Sequence, residues 1–126
     1  MLIIHNHIIP FDGFEATTIW PFIFVRSQSF DEEDENHENI HGGQQLEMLI
    51  TGTMLAVVLC VSGAGWWSLL TLPLFFWWYL IEWIVRKMFG TGNAYRKIAF
   101  EAEAYANQGD MDYLRHRKSF AWLKYL

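Results

Sequence analysis

Residues 32–61, EEDENHENIHGGQQLEMLITGTMLAVVLCV, decide how the chain is read. They begin crowded with charge and end with none. Just before them, Ser29 or Asp31 can cap a helix, and the carboxylates beyond suit the positive end of a helix dipole. The pattern predicts a helix from about Glu32 through Leu59, running on as an apolar arm to residue 61. From Met48 to Ile81 the chain has 34 consecutive residues without Asp, Glu, Lys, Arg or His. A single helix of that length would measure about 51 Å, too long for one straight span. Ser62-Gly63-Ala64-Gly65 divides the run and predicts a long hydrophobic helical hairpin. Its first arm, Leu46 to Val61, is short for a bilayer. Its second, residues 66–89, is long enough to cross one. Trp66-Trp67 and Trp77-Trp78 suit interfacial belts, and Arg86-Lys87 suits a cytosolic anchor. The alternative outlet for so much apolar surface is a homo-oligomer, with the hairpin buried between copies.

The rest of the chain fits around this centre. Of 126 residues, 52% are hydrophobic, which excludes a disordered chain. The net charge of −5 argues against a nucleic-acid partner. Residues 1–85 carry ten acids and one base (−9), and residues 86–126 carry eight bases and four acids (+4). The single cysteine, Cys60, excludes an internal disulfide and a Cys-built zinc ribbon. Residues 2–9 and 14–26 read as strands around a turn at Pro10-Phe11-Asp12-Gly13, making a β-hairpin over 1–28. Pro21 marks the second strand as an edge or a bulge. Residues 94–108 have helical composition, closed by Gly109, and 110–126 form a basic aromatic C-terminal segment. No signal peptide is expected: a basic n-region is missing and Pro10 interrupts the apolar start. The expected fold class is α+β, a single domain over 1–126 in which the N-terminal hairpin precedes a mostly helical core.

Inside the predicted helix stands His37-Glu38-Asn39-Ile40-His41, an H-E-x-x-H pattern. Positions i and i+4 share a helix face, so both imidazoles can reach one metal ion, with Zn²⁺ the natural candidate. Glu38 then lies beside the metal, where it can act as general base. A zinc site needs a third protein ligand. Glu47 lies too far along the same helix, while Glu82, Asp110, Asp112 and His116 are further candidates. Glu101 and Glu103 lie on a separate helix and, two residues apart, point about 200° away from each other. Only one can face the metal. Glu101 is favoured because Ala104 on its face lets the two helices pack closely; Glu103 is the alternative.

His37-Glu38-x-x-His41 with Glu101-x-x-Ala104 resembles the gluzincin type of zinc metallopeptidase, with distant similarity to M48- and M78-type peptidases. The wider pattern, His-Glu-x-x-His-x-x-Gln44-Gln45-x-Glu47 with Phe100-Glu101-Ala102-Glu103-Ala104-Tyr105, resembles short bacterial zincin-like proteins. The resemblance implies a zincin-like core, metal ligands His37, His41 and Glu101, Glu38 as catalytic base, and hydrolysis of peptide or protein substrates. Tyr105 replaces the Asp or Asn usual after that Ala, and is taken as the oxyanion donor. Gly42-Gly43, inside the helix, departs from helix propensity. The strand at 14–26, with Trp20, Phe22 and Phe24, offers an edge to a substrate peptide. Gln44 and Gln45 either position substrate or satisfy buried backbone groups. If the three ligands share one ion, the intervening chain crosses a membrane an even number of times or not at all. The bases after the hairpin place the site on the cytoplasmic side. The rival reading is a non-catalytic membrane or oligomer-forming protein with a structural or vestigial metal site.

Overall fold

The computed structural model describes residues 1–10, 14–26 and 28–126. Its fold is α+β: a small three-stranded sheet followed by mostly helical chain. The strands are β1 (Leu2–His5), β2 (Ala16–Ile19) and β3 (Phe22–Val25), in the order β1-β3-β2. The stretch 14–26 is therefore two strands, not one. Pro21 has no N–H with which to continue a ladder, and the chain reverses at Trp20-Pro21 to pair β2 antiparallel with β3. The hairpin thus lies within 16–25, and β1 joins as a parallel neighbour of β3, with Leu2 opposite Phe22 and His5 opposite Val25. The turn expected across residues 10–13 falls on residues 11–13, outside the described residues.

Helix α1 spans Glu32–Leu59. Asp31 caps it, accepting from the Asp34 backbone N–H, while the Asp34 carboxylate accepts from the Asp31 N–H. This reciprocal box satisfies two donors that a helix start leaves open. After α1 a π-turn (Cys60–Ala64) and a 3₁₀ turn (Gly65–Thr71) reverse the chain. Gly63 (φ 97°) and Gly65 (φ 56°) take the positive φ that this reversal needs. The returning arm touches α1 at Gly52, whose hydrogen atom faces the Thr71 carbonyl where a Cβ would not fit. Thr71 Oγ1 donates to Gly52 O at 2.7 Å and closes the base of the finger.

The second arm is not one helix over 66–89. Pro73 interrupts it, and helix α2 is Leu74–Phe89, only 16 residues. The membrane-length stretch is instead the first arm with its turn: Glu32–Thr71 is long and apolar enough to cross a membrane. After a break at Gly90–Asn93 come a 3₁₀ turn (Tyr95–Lys97), helix α3 (Ala99–Asn107), the single turn α4 (Tyr113–His116) and a final 3₁₀ turn (Ala121–Tyr125).

The main core gathers Met48, Phe75, Ile98, Ala99, Phe100 and Trp122 from α1, α2, α3 and the C-terminal segment. Phe75 stacks on Phe100 at 4.5 Å, and Phe100 meets Trp122 at 4.7 Å. Glu82, the carboxylate inside the apolar helix, turns inward: it accepts from the Ala99 N–H at the start of α3 (2.9 Å) and pairs with Arg86. Its role is to fasten α3 to α2. Ala104 is fully buried against Ile40, so the small side chain does let α3 lie close to α1.

Candidate metal centre

Helical phase sorts the buried face of α1 into two stripes. His37, His41, Gln44 and Met48 face α3, while Glu38 and Gln45 face β2. His41 and His37 lie 3.1 Å apart, Nε2 to Nε2. From α3, Glu101 meets them: Oε2 is 3.5 Å from His37 Nε2, and Oε1 is 3.4 Å from His41 Nε2. These three residues lie close enough together to hold a metal ion, and all three are buried. One ligand atom from each residue lies within 4.8 Å of the others, and the two imidazole nitrogens, 3.1 Å apart, are near the edge of about 3.3 Å that bonds of about 2.0–2.1 Å give a tetrahedral site. Glu101 Oε2 is buried without a hydrogen-bond partner, whereas Oε1 accepts from the Tyr79 hydroxyl at 2.9 Å. One carboxylate oxygen is therefore hydrogen-bonded, and the other is left without a donor beside the His37 ring.

The ring orientations derive from a chain of amides. Gln44 Nε2 donates to Phe100 O (3.0 Å) and to Glu103 Oε2 (2.9 Å), both of which only accept. That fixes Gln44 Oε1 toward His41 Nδ1 at 2.8 Å, so Nδ1 carries a hydrogen. Gln108 repeats the arrangement: Nε2 donates to Glu33, and Oε1 accepts from His37 Nδ1 at 3.0 Å. Both Nε2 atoms are thereby aimed at Glu101 and at each other. Gln108 is placed by Asn36, whose Nδ2 donates to the backbone carbonyls of Gln108 and Asp110 beyond the end of α3.

Such a pocket selects a positive charge. Burial alone would lower the His41 pKa, but Glu101, with Glu38 and Gln44 behind it, raises it to about 9. Burial would likewise raise Glu101, yet His41 and His37 hold its carboxyl well below the ordinary range. Without a metal, a proton on His41 supplies the charge. Metal binding must displace it, so at pH 7.5 uptake should release about one proton. Apparent affinity should rise with pH toward about 9 and then level off. Titration calorimetry in buffers of different ionisation enthalpy measures the released proton directly.

The other predicted residues take distinct places. Glu38 is held by Thr18 Oγ1, which donates to its carboxylate at 2.7 Å and to its backbone carbonyl. It lines a cavity of about 430 Å³ together with His41, Glu101, Tyr79 and Tyr95. Glu103 faces away from the His37–His41–Glu101 cluster. It accepts from Tyr113 (2.8 Å), Gln44 and Arg117 (2.7 Å), and Arg117 also grips Glu47 at 2.5 Å. Glu103 and Glu47 are thus anchors for the C-terminal segment. Asp110, Asp112 and His116 are exposed and pair locally. Tyr105 packs edge-on against His37 at 4.7 Å beneath Arg96 and does not line the cavity. The phenols that do are Tyr79 and Tyr95. Burial, then Glu101, pushes the Tyr95 hydroxyl up, which keeps it a donor at neutral pH. Gln45 satisfies backbone: Nε2 donates to Thr18 O and Oε1 accepts from Trp20 N, occupying part of the β2 edge. Gly42 lies against the Met1 side chain, which a Cβ would displace.

Sequence reasoning missed Thr18, Tyr79, Tyr95 and Gln108. Only Gln44, three residues after His41, carried a local signal. No family model matches the chain, and no curated protein or solved structure matches it.

Proposed function

We propose that the chain is a zinc-dependent metallopeptidase of gluzincin type, held at a membrane by its apolar hairpin, with the site facing the cytoplasm. One observation carries the reading: His37, His41 and Glu101 converge closely enough to hold a metal ion, with Glu38 beside them on the wall of a cavity. A structural site would be closed by its ligands, whereas His41 and Glu101, though buried, line the cavity.

A zinc ion in this site would polarise a carbonyl and bring the pKa of water toward about 7. Glu38, steadied by Thr18, accepts the proton of the attacking water and returns it to the leaving amine. Water adds across the amide, giving an acid and an amine. Tyr95, which lines the cavity where Tyr105 does not, takes the role of donor to the carbonyl oxygen in this reading.

The hairpin supports membrane attachment. Only 17% of the apolar window in Glu32–Thr71 is buried, unlike the core helix of a soluble domain. His37 and His41 precede the uncharged run and Glu101 follows it, so a shared ion would make the run enter and leave on one side. Arg86, Lys87, Arg96 and Lys97 come after it, which supports a cytoplasmic position.

Purified protein should contain about one zinc per chain by elemental analysis, the stoichiometry of a single tetrahedral site, and lose it in His41→Ala. The zinc-loaded form should release new amines from a mixed pool of soluble and membrane polypeptides, and chelation should stop it. Absence of zinc after supplementation, or hydrolysis indifferent to chelation, overturns the proposal.

A further inference from the structure

The cavity beside Glu38 opens through an apolar mouth. Three of the residues lining it are large and exposed: Phe14 (50%), Phe76 (48%) and Leu80 (46%). Helical phase explains the placement. On α2, Phe75, Tyr79, Glu82 and Arg86 form the stripe turned to the core. Phe76, Leu80 and Trp83 form the next stripe, the lip. Trp77, Ile81, Ile84 and Met88 form the outermost, exposed stripe. The lip and the outer face are one continuous apolar surface. A second cavity of about 290 Å³ adjoins the first at Phe75, Phe76 and Gln45, and its exposed walls (Ile19, Trp20, Leu49) are apolar as well. The one carboxylate on α2, Glu82, is turned inward. At the far end of α2, Lys87 lies over the cavity-lining Trp83 at 4.7 Å, an exposed cation suited to anionic headgroups.

We infer that the cavity is entered sideways from the bilayer, and that its substrates are apolar polypeptide segments already inserted in the membrane. Cleavage of such a segment rests on the peptidase reading; its entry and binding do not. A water-borne chain would have to cross the uncharged aromatic apron of α2 to reach Glu38. A membrane-inserted segment meets the mouth along the surface that lipid covers. The lining favours apolar side chains around the scissile bond, because Phe14, Ala16, Phe75, Phe76, Leu80 and Trp83 leave polar groups mainly at the catalytic end.

The test is photocrosslinking in proteoliposomes of the full chain with Phe14→p-benzoylphenylalanine at the mouth. Ile84→p-benzoylphenylalanine, facing lipid but off the cavity, controls for mere confinement to the bilayer. One probe is a synthetic single-span Leu/Ala peptide in the vesicles; the other is an unfolded, carboxymethylated soluble protein. The expected result is span adducts at position 14 exceeding those at position 84 by about tenfold, the scale of a built site over shared confinement. The soluble chain should give little at position 14. Soluble adducts equal to span adducts at position 14, or span adducts no greater at 14 than at 84, overturn the inference. Crosslinking needs no hydrolysis, so the two readings fail separately. Selective span adducts without zinc-dependent cleavage overturn the peptidase and leave the entry route standing. Soluble adducts with zinc-dependent cleavage do the reverse.

Discussion

Glu101→Gln is expected to abolish zinc binding with the fold intact, and Arg117→Met to unfold the protein with His37, His41 and Glu101 untouched. The two carboxylates of α3 sit two residues apart and have opposite jobs. Glu101 Oε1 is satisfied by Tyr79, and an amide oxygen in its place still accepts that hydrogen bond. What the amide loses is the negative charge opposite His37 and His41. Zinc affinity should fall by more than about 100-fold, beyond what losing a supporting contact costs. In wild type, free zinc at 100-fold its Kd raises stability by about 2.7 kcal/mol, an increment that Glu101→Gln should lack in thermal scans. Glu103, by contrast, is fully buried, and Arg117 is the cation that reaches it. Removing the guanidinium strands Glu103, and Glu47 beside it, and should cost about 3–5 kcal/mol. Loss of zinc-dependent stabilisation in Arg117→Met with unchanged metal-free stability would reverse the assignment. So would zinc uptake by Glu101→Gln at wild-type affinity.

The features legible in the sequence are local. A cap at Ser29 or Asp31, the length of α1, the His37/His41 face and the choice of Glu101 over Glu103 all depend on positions within one or two helical turns. The choice turned on Ala104, whose size predicts close packing and whose burial against Ile40 provides it. Long-range partners left no such trace. Gln108 supports His37 from 71 positions away, and Tyr79 reaches Glu101 from near the end of an apolar run where periodicity signals only burial or lipid. Tyr105 stands in the expected place by chain position, yet one turn of helix carries its ring to the outer side of His37. Pro21 is ambiguous for a similar reason. A strand interrupted by Pro can bulge or fold back, and only pairing with β3 decides between them. Pro73 has the same ambiguity in the second arm, and there it shortens α2.

Glu38→Gln should keep zinc at wild-type affinity and lose hydrolysis. The side chain lies outside the His37–His41–Glu101 cluster. It stands on the β2-facing stripe of α1, and Thr18 holds its carboxylate at 2.7 Å. Glutamine has the same shape and can still accept from Thr18, so the cavity wall is preserved, but an amide takes no proton from water. General-base contributions run to about 10²–10⁴ in rate, so kcat should drop by about 10³, or about 4 kcal/mol of barrier, with KM nearly unchanged. Thr18→Val tests the support. It removes the hydroxyl, leaves Glu38 ionisable and keeps the β-branched shape that suits β2. The expected loss is about tenfold in kcat, smaller than for Glu38→Gln because the base survives but is no longer held in line. A purely structural Glu38 predicts another pattern: both variants would lower thermal stability together and leave kcat per folded molecule unchanged. Equal kcat in wild type and Glu38→Gln, at equal zinc content, would remove Glu38 from the reaction.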